Sequence, residues 1–168
     1  MKTLDWFDRK FTFDLSPDML PFYLERLSGT IARIEYKVKG VDDKILSEKF
    51  NNKWCIKQHI GHLAEVDEIG NKRIDQMTSG ATGLSPAVFE PKDYSTWPIE
   101  KVLNYFDKTR TGNINKYYSL TDDQLLKGSE HPRLKVNMTP VDLAWFDAEH
   151  DDHHLLAIQN ILNANLKK

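Results

Sequence analysis

Glu149-His150-Asp151-Asp152-His153-His154-Leu155-Leu156-Ala157-Ile158 places three of the chain's six histidines within five residues of a segment that reads as helix. His150 and His154 are four apart, so on a helix they stand one turn apart on the same face. Phe146 and Ile158 flank them at helical spacing, which makes that face the apolar one. A buried imidazole needs partners for its nitrogens. Carboxylates or backbone carbonyls would serve, and so would a metal ion bound by neutral rings. Upstream, Thr139-Pro140-Val141-Asp142 has the marks of a helix start: Thr as cap, Pro at the first position, an acid in the first turn. The inner face of this last helix then runs Leu143, Phe146, His150, His154, Ala157 or Ile158, and Ile161.

Working outward, three more amphipathic stretches are legible. Ser16-Pro17-Asp18-Met19 begins the first, with Ser as cap, and Leu20, Leu24, Leu27, Ile31, Ile34 and Val38 carry it to about Lys39, where Gly40 stops it. Gly29 inside it suggests a close helix contact. After a polar connector, Asp42 to Lys53, a second helix opens at Trp54 and fades near Met77, with Ile56, His59, Leu63 and Val66 on its inner stripe and His62 at the edge. Thr78 to Gly83 is a turn-rich break, and Pro86, Pro91 and Pro98 leave a long loop of the kind that covers an opening. A third helix starts at Thr96, is interrupted at Gly112, and ends near Tyr117 or Tyr118. Thr121 to Leu126 reads as a short capped turn, and 128–138 as extended or looped. Trp6, Phe7, Phe11 and Phe13 form an N-terminal arm whose rings pack on the rest. With almost no alternating strand pattern, the expectation is an all-α four-helix bundle, one domain over 1–168, with an N-terminal arm and a long loop between helices 2 and 3.

The bulk numbers agree with a globular chain. At 168 residues with 40% hydrophobic content, there is enough material for a real core. A formal charge of −2 with dispersed basic residues gives no pull toward nucleic acid or an anionic membrane. No apolar run is long enough to span a bilayer, the N-terminus lacks a signal-peptide segment, and Cys55 has no partner for an internal disulfide. These features suggest a cytoplasmic protein.

A third ligand could come from His62 or His59 on the second helix; spacing does not choose between them, nor does it wholly exclude His153. His131, before Pro132, reads as structural or surface. Glu149, Asp151 and Asp152 beside the pair, and Glu65 and Asp67 on the second helix, read as solvated or helix-pairing charge. No catalytic acid or base can be named from the residues.

The segment Trp54-Cys55-Ile56-Lys57-Gln58-His59-Ile60-Gly61-His62-Leu63 resembles the second-helix motif of the DinB-like (YfiT-like) superfamily, and Ala148 to Leu155 resembles its last-helix His-x-x-x-His motif. Leu4 to Phe11, Glu25-Arg26-Leu27 and His131-Pro132-Arg133-Leu134 extend the resemblance over nearly the whole chain. Cys55 departs from it, since the family usually has Ser there; we read Cys55 as a small buried residue. The resemblance implies a divalent metal held by His62, His150 and His154, with Zn²⁺ or Ni²⁺ as occupant, and places His153 outside the ligand set. It further implies a metal-dependent enzyme acting on a small-molecule substrate, either a transferase using a low-molecular-weight thiol cosubstrate or a hydrolase. The alternative is a non-catalytic, metal-stabilised binding module. Pairing as a homodimer through helix faces is also a family habit.

Overall fold

A computed structural model describes residues 4–90 and 92–165, the side chain of Phe7 excepted. Pro91 and the Phe7 ring, both part of the expectations above, lie outside what is described. Four long helices build the protein: α1 (Leu20–Val38), α3 (Ile56–Thr78), α4 (Ile99–Tyr118) and α6 (Pro140–Asn165). Two short helices, α2 (Asp43–Ser47) and α5 (Asp122–Leu125), and a two-stranded hairpin of β1 (Ser129–Glu130) and β2 (Asn137–Met138) fill the connections.

Local chemistry explains most boundaries. Thr139 and Asp142 cap α6 reciprocally: Asp142 N–H donates to Thr139 Oγ1 at 3.2 Å, and Thr139 N–H to Asp142 Oδ2 at 3.0 Å. At the start of α3 the Gln58 side chain accepts the Cys55 N–H at 2.9 Å, and Cys55 itself is fully buried. Several expectations shift. Ser16 makes no side-chain cap; a 3₁₀ turn at Pro17–Met19 precedes α1 instead. The 42–53 connector holds α2, capped by Asp42, whose side chain accepts from Lys44 N–H. Trp54 stays outside α3, and α4 runs unbroken through Gly112, where an exposed helical glycine weakens propensity without breaking the helix. At Gly29 an added Cβ would find open space; a close approach is at Gly61, where an added Cβ would sit 2.5 Å from the Tyr94 ring.

The core falls into two apolar layers. One holds Leu24, Leu27, Ile74, Met77, Tyr117 and Leu143; the other holds Ile34, Ile60, Leu63, Phe106, Leu155 and Ile158. Following the layers along each helix gives its direction. α1 and α6 run from the first layer to the second, α3 and α4 from the second to the first. Because α3 and α4 are therefore parallel, the chain between them must travel the length of the bundle. That is the physical reason for the long 79–98 connection. It is pinned on its way to the hairpin, Leu84 N–H donating to Glu130 O at 2.9 Å.

Between the two apolar layers lies one polar layer drawn from all four long helices. The Arg110 guanidinium of α4 binds both oxygens of Asp67 (α3) at 3.0 Å, the Asp151 carboxylate (α6) at 2.5 and 3.1 Å, and the Leu27 carbonyl (α1) at 2.9 Å. Thr30 of α1 donates to Asp151 Oδ2 at 2.6 Å. Asp67 and Asp151 are thus buried, against the expectation of solvated charge for both: they satisfy one arginine that is itself enclosed. The layer fixes the roll of α6, and so where its histidines point.

Candidate metal centre

His62 of α3 and His150 and His154 of α6 converge, one ligand atom of each lying within 4.8 Å of the others. Nε2 of His150 and Nε2 of His154 are 3.1 Å apart. Two nitrogens each bound about 2 Å from one ion at a roughly tetrahedral angle would be ~3.3 Å apart, so the donor set fits a divalent ion. Asp151, next to His150, is held by Arg110, which turns the two histidines inward. Glu149 and Asp152 face the other way: Glu149 pairs with Arg9 and Arg26, and Asp152 with Arg26 at 2.5 Å and Arg33 at 2.9 Å.

The other histidines are placed distinctly. His59 Nδ1 lies 2.8 Å from His154 Nδ1, so one proton is shared between these rings. With His154 Nε2 facing the cluster as an acceptor, His154 donates from Nδ1 and His59 accepts. His153 packs on the Trp6 ring at 5.6 Å and is not among the three. His131 is buried rather than on the surface; its Nδ1 accepts the backbone N–H of Leu134 at 3.1 Å and of Arg133 at 3.3 Å, which stiffens the hairpin turn.

An aromatic collar surrounds the cluster. Trp54 lies 4.8 Å from the His62 ring and stacks nearly parallel to His154 at 5.9 Å; Phe89 from the long connection covers His62 at 4.8 Å; Trp6 from the arm meets His150 edge-on at 5.1 Å. Enclosure pushes the imidazoles toward their neutral form: burial brings His59 and His62 down to about 4, and His150 and His154 well below the ordinary value. Neutral rings are the form that donates lone pairs to a metal.

Glu65 is also not the solvated acid expected. Tyr94, seated on Gly61, donates to its Oε1 at 2.8 Å, and Lys92 stands 3.7 Å away. Burial raises its carboxyl. Glu65 Oε2 lies 3.8 Å from His62 Nδ1, close enough to favour the proton on that nitrogen.

A cavity of about 610 Å³ reaches His62 and His150. Trp6 and Phe11 of the arm, Phe89 of the connection and Phe146 of α6 line it, and so do Arg73 and Asp147. The arm therefore does pack its rings, as expected, and in doing so lines the cavity as well. Sequence reading missed Arg73 and Asp147. The signal was present in spacing, since Arg73 repeats the face of His62 and Asp147 that of His150, but neither carries a motif.

This is a four-helix bundle with a histidine cluster bordering an open cavity, and comparison with known proteins agrees on the bundle. The DinB superfamily profile matches residues 13–158, and the chain belongs to that superfamily. Among solved structures it resembles YfiT from Bacillus subtilis, described as a probable metal-dependent hydrolase with an unusual four-helix bundle topology. There the TM-score is 0.80 at 20% identity, covering 93% of each chain. It resembles less closely a mycothiol-dependent maleylpyruvate isomerase, with TM-score 0.66 and 13% identity over 87% of this chain and 62% of that one. Curated protein sequences give no match. Among the described residues no helix is long and apolar enough to cross a membrane.

Proposed function

We propose that this chain is a metal-dependent enzyme in which His62, His150 and His154 hold one divalent ion with a position left toward the cavity. One observation carries the reading: the three imidazoles converge, and two of them, His62 and His150, border a cavity of about 610 Å³. Three histidines with an open position are typical of catalytic sites, and imidazole donors suit Zn²⁺ or Ni²⁺. When bound, such an ion supplies Lewis acidity that lowers the pKa of a water, or favours the thiolate of a low-molecular-weight thiol. The reaction class is accordingly hydrolysis of, or thiol transfer to, a small molecule. The hydrolase description of YfiT supports the first and the mycothiol-dependent isomerase the second.

The chain's own residues supply the setting. His59 holds the tautomer of His154, Glu65 biases that of His62, and the collar of Trp6, Trp54 and Phe89 keeps bulk water from the donors. The alternative is a non-catalytic metal-stabilised module that binds a small molecule or a protein; a cavity that reaches the cluster favours the enzyme, because an open ligand position beside a substrate-sized space is what catalysis requires.

The test is metal analysis of protein purified without a nickel column, on the wild type and on His150→Ala. About one ion per chain is expected in the first and a near-complete loss in the second. A metal-free wild type that also shows no thermal stabilisation by added Zn²⁺ or Ni²⁺ would sink the reading. A thermal-shift panel of thiols and hydrolysable esters on the loaded protein then separates the two chemistries.

A further inference from the structure

The cavity has a second polar end that the metal centre does not use. Arg73 stands eleven residues beyond His62 on α3, three turns along the same face and ~16 Å of helix rise away. Its charge is felt by Asp147 of α6 and by His131 of the hairpin turn. Asp147 lies one turn before His150 on α6 and meets α3 at Gly70, its Oδ2 3.4 Å from where a Cβ would stand. Arg73 is 8% exposed and Asp147 4%, and both line the cavity. Arg73 Nε and Asp147 Oδ2 are enclosed and meet no hydrogen-bond partner.

Arg110 shows how this bundle treats a structural arginine: its guanidinium is engaged by two carboxylates and a carbonyl. Arg73, six residues beyond Asp67 on the neighbouring helix, has a buried donor with no such engagement. A guanidinium stays charged at any working pH. Asp147 does not neutralise it fully, because burial, and then the nearby Asp67, raise the Asp147 carboxyl to about 8. This part of the cavity thus combines an under-compensated cation with a hydrogen-bonding acid; Val66, Ile69, Leu143 and Phe146 give the lining its apolar stretch, and Arg9, His131 and Arg133 also border it.

We propose that Arg73 is the carboxylate anchor of this cavity, selecting small organic acids with an apolar middle whose other end reaches the three-histidine centre. Asp147 exchanges one hydrogen bond with the ligand's polar end. A single carboxylate suits the site better than a phosphate dianion, since Asp147 in the same part of the cavity disfavours a second negative charge. The anchor itself stands on the cavity alone; only what happens at the far end rests on the metal reading.

The experiment is calorimetric titration of the full chain, its metal content recorded, with 4-phenylbutyrate, its neutral amide 4-phenylbutanamide, and 4-phenylbutyl phosphate. Phenylacetate and 6-phenylhexanoate bracket the length. The wild type is expected to bind at least one of the acids, and to prefer acid over amide roughly 10- to 100-fold. Arg73→Gln and Arg73→Met should both lose that preference while keeping the wild-type metal content. Both remove a poorly compensated buried charge, and whichever folds decides the matter. The anchor is overturned if no acid binds the wild type, if the amide binds as tightly, or if the variants keep the preference. Tighter binding of the phosphate overturns the choice of carboxylate. A metal-free chain with an Arg73-dependent preference retains the anchor and loses the metal reading; a loaded chain without the preference does the reverse.

Discussion

Two polar regions sit side by side inside this bundle and could hardly be treated more differently. In the layer around Arg110, every strong group meets a partner: Asp67, Asp151, Thr30 and the Leu27 carbonyl close on one guanidinium. Within about two helical turns, the histidine cluster and the cavity carry His150 Nδ1, Arg73 Nε and Asp147 Oδ2 without partners, and the Tyr117 hydroxyl in the adjoining apolar layer is unpaired as well. Unpaired buried polar atoms are unfavourable, so a fold that satisfies one region and not its neighbour is keeping the second for something else. The satisfied layer holds the helices in register; the unsatisfied one is free to meet a ligand.

The contrast breaks most visibly at Arg110. Arg110→Met leaves two buried carboxylates facing each other unpaired and should lower unfolding free energy by about 3–5 kcal/mol in urea titrations. A loss under about 1 kcal/mol would mean that the layer is not the structural one. Asp147→Asn probes the other region. A carboxyl whose folded pKa is raised, here to about 8, gives stability that is full below its unfolded value near 3.8 and is lost as pH rises through 8. The asparagine variant has no such dependence, so it should gain steadily on the wild type from pH 4 to 8, by up to about 1.4 kcal/mol for each pH unit. Parallel pH profiles would show that Asp147 is not held protonated. The smallest effect sharpens the boundary. His59→Ala removes the partner of His154 Nδ1 and should weaken metal affinity about 10- to 100-fold in competition with a chelating dye, at a cost of about 1–3 kcal/mol in metal-free stability for the nitrogen left unpaired.

How far the sequence carried each region differs for the same reason. The histidines were legible because His150 and His154 repeat at helical spacing in an apolar frame, and the resemblance of the Trp54–Leu63 segment singled out His62. The helices were legible from periodicity. The long connection was visible as a loop, but its cause was not, since the parallel run of α3 and α4 is a property of the packed bundle. Asp67 and Asp151 looked like surface charge because a single chain does not reveal that Arg110, some forty residues from either, meets both. Gly61 carried no signal, as the Tyr94 ring that requires it arrives from the connection. Arg73 and Asp147 escaped for a related reason: a functional pair split between two helices leaves no local pattern.

The split of the cluster between α3 and α6 also sets an order of events as the chain is made. α1, α3 and α4 emerge first, and Asp67 can already meet Arg110 while His62 is without its companions. His150 and His154 arrive together on the last long helix, and only its docking brings the three imidazoles within reach of one another. On the proposed reading, metal capture is therefore a late event in biogenesis, and a loaded centre would certify that α6 has taken its place.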